Sequence, residues 1–138
     1  MTENKVKELL KALDEDPSSK AFLELARLLA EQDTAKARDI LIQGLYYHSD
    51  NLVARLLLAK IFYKDGLYNF SAREIAEVWM VSKSDTIKKL LLSFGEHGEK
   101  YYQIYSGSAV ESESEDVLAE IDLDADISDA IIEFDDES

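Results

Sequence analysis

Two histidines, His48 and His97, are the side chains of this 138-residue sequence whose ordinary pKa lies nearest neutrality. His48 stands in His-Ser-Asp-Asn and His97 in Gly-Glu-His-Gly, and neither has a second histidine at helical ligand spacing. Both read as exposed turn residues. The chain has no cysteine, so disulfides, thiolate metal sites and cysteine nucleophiles are excluded. It also lacks a Gly-x-Ser-x-Gly elbow, a phosphate-cradling glycine loop and a His-Glu-x-x-His helix. Asp122, Asp124, Asp126 and Glu133 do match positions 1, 3, 5 and 12 of a calcium-loop template. Position 6 of that template requires glycine for a sharp turn and here holds Ile127, while position 8 holds Asp129. A calcium-responsive binding module through residues 122–133 is the reading kept from a different class, beside the plainer one of an alternating acidic run. The sequence is expected to be non-catalytic, with no cofactor and no bound metal.

The charge that surrounds these residues is divided unequally. Residues 108–138 hold 13 acids and no Lys or Arg, whereas residues 1–107 hold 16 acids against 15 bases. A near-neutral body thus carries an acidic tail, and the boundary is visible in Ser-Gly-Ser-Ala-Val-Glu-Ser-Glu-Ser-Glu-Asp. The division expected is a helical domain over 1–105 and a flexible tail over 106–138. Such a tail repels nucleic acid and anionic membrane, so nucleic acid is not expected as a partner. Met-Thr-Glu-Asn-Lys-Val-Lys lacks an apolar leader core, and no run of about 18 apolar residues occurs. The expectation is a cytoplasmic protein without membrane insertion.

The body must supply the elements, and its apolar rhythm is helical throughout. Val6, Leu9, Leu10 and Leu13 fall on one face of a 3.6-residue period, and Phe22, Leu25, Ala26 and Leu29 repeat the spacing. Asp16-Pro17-Ser18-Ser19 separates the two. Asp33 is placed to cap a third helix carrying Ala37, Ile40, Leu41 and Gly44. A fourth runs from Leu52 to Tyr63 and is stopped by Asp65-Gly66. Ser71-Ala72-Arg73-Glu74 has the form of a capping box opening a fifth, with Ile75, Ala76 and Trp79 inward. Ser84-Asp85 opens a sixth with Ile87, Leu90, Leu91 and Phe94 inward, and a shorter stretch with Tyr101, Ile104 and Tyr105 follows. The fold class is all-α.

These helices also repeat. Leu25, Leu58 and Leu91 are 33 residues apart, as are Ala26, Ala59 and Leu92. A period in this range marks stacked helix–turn–helix units, none of which buries its apolar face alone. Leu58-Ala59, Phe62, Gly66-Leu67-Tyr68 and Ala72 give the segment a resemblance to the tetratricopeptide repeat, and Phe22 to Ala37 resembles a second copy. Arg55 and Lys88 stand where that family usually has Trp. The resemblance implies an αα-hairpin solenoid of about two full and two partial repeats, with a generic αα-hairpin stack as the alternative.

The resemblance further implies a concave peptide-binding groove lined by the first helix of each repeat. Its register places Lys20, Leu23, Arg27, Leu56, Lys60, Tyr63, Lys64 and Lys89 there, a basic and partly aromatic set suited to an acidic, partly hydrophobic peptide. In the tail, Leu118, Ile121, Leu123, Ile127, Ile131, Ile132 and Phe134 interrupt the acids. They read as a linear motif that alternates like a strand from Ile121 to Ser128 and also fits a helical period from Leu123 onward. The motif is expected to dock on its own groove, on a second copy or on another protein. The function implied is a protein-binding adaptor or chaperone, similar in size to the small acidic chaperones of type III secretion. A scaffold recruiting parts of a motility, polarity or pilus system through the tail is the alternative.

Overall fold

The periodic segments fold as eight α-helices in a computed structural model that describes residues 2–107 and 123–136. They are α1 (Thr2–Glu15), α2 (Ala21–Leu29), α3 (Thr34–Tyr47), α4 (Leu52–Lys64), α5 (Tyr68–Ser82), α6 (Asp85–Leu92), α7 (Glu96–Ser106) and α8 (Leu123–Asp136). Among the described residues there is no strand, and no helix is long and apolar enough to cross a membrane. Local chemistry sets the ends. Asp33 accepts the Lys36 backbone N–H at 3.2 Å, Asn51 that of Ala54 at 3.0 Å and Ser84 that of Ile87 at 3.3 Å. Each satisfies a donor that a helix start leaves without an intrahelical partner. Gly66, at φ +79°, ends α4 in the left-handed region.

The chain forms two compact units, residues 1–54 and 55–138. In the first, α2 packs against both α1 and α3. Leu9, Phe22, Leu25, Ala26, Leu29, Ala37, Ile40, Leu41 and Leu45 are buried. Gly44 lets α3 lie on the Phe22 ring, since a Cβ there would fall 2.1 Å from a ring carbon. His48 corrects the expectation of an exposed turn residue. It is half-buried, stacks on Phe22 with centroids 5.6 Å apart, and its Nε2 donates to the Ser18 carbonyl at 2.6 Å. In the same turn Asp16 accepts the Ser18 hydroxyl at 2.7 Å and its N–H at 3.1 Å. Those bonds hold the Asp16 carboxyl below the ordinary range, with a smaller contribution from His48.

In the second unit, α5 packs with α6 and α7, and α6 with α7 and α8. Ala59, Ala72 and Ala76 are fully buried, small side chains that suit the close approach of α4 and α5. The capping box at Ser71 does not form. α5 begins earlier, at Tyr68, and the buried Ser71 hydroxyl instead donates to the Ala59 carbonyl at 2.7 Å. Glu74 reaches across to Arg55 at 2.9 Å rather than back to the chain start. His97 lies in the first turn of α7, not in a loop. On α7, Tyr101 donates to Asn69 at 3.0 Å and Tyr105 to Glu77 at 2.7 Å, which fixes this helix on α5. The repeat positions Leu25, Leu58 and Leu91 are all buried.

The tail is where the fold departs most from expectation. Residues 123–136 are helical, and α8 packs on α6 with Ile127 and Ala130 buried. Of the two periods legible there, the helical one is realised, because it gathers Ile127, Ala130, Ile131 and Phe134 on one side.

Candidate peptide-binding surface

Tyr63 and Lys64 lie three and four residues after Lys60, one helical turn on near the end of α4, so the three share a face. Lys64 stands in the last turn, where a cation is favoured by the helix dipole. Tyr63 is held by aromatic neighbours. Its ring meets Tyr68 edge-on at 5.1 Å and Phe94 at 6.1 Å, while Phe62 meets Phe70 at 5.6 Å. Tyr68 and Phe70 are nearly half exposed, at 48 % and 47 %, and Leu67 beside them is also exposed. The segment after Gly66 therefore presents two half-exposed rings, of which Tyr68 packs on Tyr63, the residue that shares a face with Lys60 and Lys64. Rings of this type supply contact area at little conformational cost, and ammonium groups beside them attract carboxylates.

The other expected groove residues distribute as follows. Lys89, in the last turn of α6, is exposed. Leu56 has no exposed surface and is a core residue, so it is not a contact for an external peptide. In the first unit Lys20 is exposed at the N-cap of α2, Leu23 is half-buried and Arg27 is exposed in the last turn of α2. Of the tail motif, Leu118 and Ile121 lie outside the described residues. Leu123, Ile131 and Phe134 are half-buried, Ile127 is fully buried and Ile132 is 60 % exposed.

Two groups of the second unit have shifted acidities. Burial raises the Glu74 carboxyl, with the Arg55 guanidinium pulling the other way less strongly. Burial likewise raises the Tyr105 phenol, helped by its bond to the Glu77 carboxylate. Both lie in α-helical packing contacts. Asp124 and Asp126 lie in the first turn of α8 and Glu133 further along it. A calcium loop must turn sharply at its sixth position, and here that residue, Ile127, continues a helix. Among the described residues no three His, Cys, Asp or Glu side chains are grouped to hold a metal ion.

Sequence reasoning missed a cleft in the first unit. It has a volume of about 380 Å³ and is lined by Leu13, Asp14, Pro17, Phe22, Ile40, Gln43, Gly44, Tyr46 and Tyr47. Its signal was Tyr46, a large ring placed opposite the apolar stripe of Ala37, Ile40, Leu41 and Gly44 on α3. Tyr46 is 82 % exposed. No family model matches this sequence, and no curated protein or solved structure matches it.

Proposed function

We propose that the chain is a non-catalytic adaptor or chaperone, built as an αα-hairpin stack of tetratricopeptide type, that binds an acidic and partly apolar protein segment. The observation that supports this is the half-exposed Tyr68 ring packed on Tyr63, which shares a face of α4 with Lys60 and Lys64, with the half-exposed Phe70 packed on Phe62 in the same hairpin. Solvated lysines alone need no function, but a half-exposed ring packed on the tyrosine of their own face forms a surface that an apolar side chain and a carboxylate can share. Affinity would come from the rings and selectivity from the lysines.

The test is selection of displayed 20-residue peptides on the full chain, with the Lys60→Glu/Lys64→Glu double variant as counter-selection. Enrichment of peptides combining acids with Leu, Ile or Phe, lost on the double variant, is the expected result. Peptides retained equally by both proteins would overturn the assignment of this surface.

A further inference from the structure

We propose that the surface of α6 covered by α8 is a second binding site, whose external ligand is an amphipathic helix from another protein, and that α8 closes it as a weak internal ligand. α8 itself shows what the seat accepts. Ile127 and Ala130 are fully buried there, with Ile131 and Phe134 half-buried, a pattern at i, i+3, i+4 and i+7. Two features make this occupant poorly held. Of its described side chains only Ile127 and Ala130 are fully buried, and a 14-residue helix is marginal without packing. Among the described residues one carboxylate oxygen of Asp124 is buried without a hydrogen-bond partner, which a helix bound for its own stability would avoid. A competing helix with the same apolar spacing and a neutral residue at the Asp124 position escapes the last of these penalties. This goes beyond the Tyr63 surface, which is built from other residues.

The experiment uses the full chain and a fluorescein-labelled peptide of residues 121–136, read by anisotropy. Two chain variants, Ile127→Asp and Ala130→Glu, release α8, and circular dichroism checks that the remaining helices are kept. Released chains are expected to bind the peptide at least about tenfold more tightly than the wild type, in which the seat is filled. A peptide with Asp124→Asn is expected to bind about tenfold more tightly than the parent. A peptide with Ile127→Asp is expected not to bind. Released chains that keep their helices and take up no peptide would overturn the proposal. So would a concentration-dependent dimer of the wild type held by exchanged α8, because the seat would then belong to a second copy. Lys60→Glu/Lys64→Glu in the released chain separates the two sites. Unchanged peptide binding supports the α6 seat whatever becomes of the Tyr63 surface, and loss of binding overturns a separate seat.

Discussion

Gly44 and Glu74 carry the most direct consequences at the scale of single residues. A methyl group at Gly44 would overlap the ring of Phe22, which is 1 % exposed and cannot swing away. Overpacking of this kind costs about 1–3 kcal/mol, whereas replacing a helical glycine by alanine returns about 1 kcal/mol. Gly44→Ala should therefore lower the melting temperature, and a rise in thermal denaturation would refute the contact. Glu74 gives a pH signature. Its native carboxyl binds a proton more readily than the unfolded one, whose pKa is near 4.5, because burial outweighs Arg55. Between 4.5 and the raised native value the folded state holds more protons, so its stability falls as pH rises through that window. Subtracting the unfolding free energy of Glu74→Gln from that of the wild type, at steps from acid to neutral pH, should give a curve that descends. A rising curve would mean that Arg55 dominates.

Helix by helix, the legible part of the sequence was the part decided locally. Asp33, Asn51 and Ser84 cap because their acceptors lie three residues from the donors, a relation any reader of the chain can see. Ser84→Ala should cost about 1 kcal/mol of stability in chemical denaturation, and no loss would show that the bond at 3.3 Å contributes nothing. Ser71 was misread because its partner, the Ala59 carbonyl, is twelve residues away, so a hydroxyl spaced for a cap serves instead between two helices. His48 was misread for the same reason, its partners Phe22 and Ser18 lying far back in the chain. Lys60, Tyr63 and Lys64 were legible as one face; the Tyr68 ring packed on Tyr63 was not, since only the turn at Gly66 brings it there. In α8 the helical period was present in sequence but not distinguishable from alternation, and contact with α6 decided it. Ile127→Ala should strip hydrogen-exchange protection from α8, while Ile132→Ala, at a position 60 % exposed, should leave it unchanged. Equal effects of the two would mean that α8 packs through a different face.

Over the whole molecule, the deciding quantity is where the charge of −14 resides. Residues 108–138 carry 13 of the excess acids, and within α8 Asp126, Asp129 and Glu133 follow each other at three- and four-residue spacing, the distances at which like charges repel along a helix. Lys88 and Lys89 on α6 offer an opposing attraction, but the Lys88 ammonium is engaged 5.0 Å over the Tyr102 ring. With 16 acids against 15 bases in residues 1–107, the body has no net field to draw the tail in. Self-repulsion should therefore win, and salt, by shortening the screening length from about 10 Å at 0.1 M to about 3 Å at 1 M, should relieve it. Hydrogen exchange of α8 should slow several-fold from low to high salt, while α5, held by buried apolar contacts with α6 and α7, changes little. If exchange in α8 quickens instead, attraction to Lys88 and Lys89 holds the tail, and salt would open the α6 surface rather than close it.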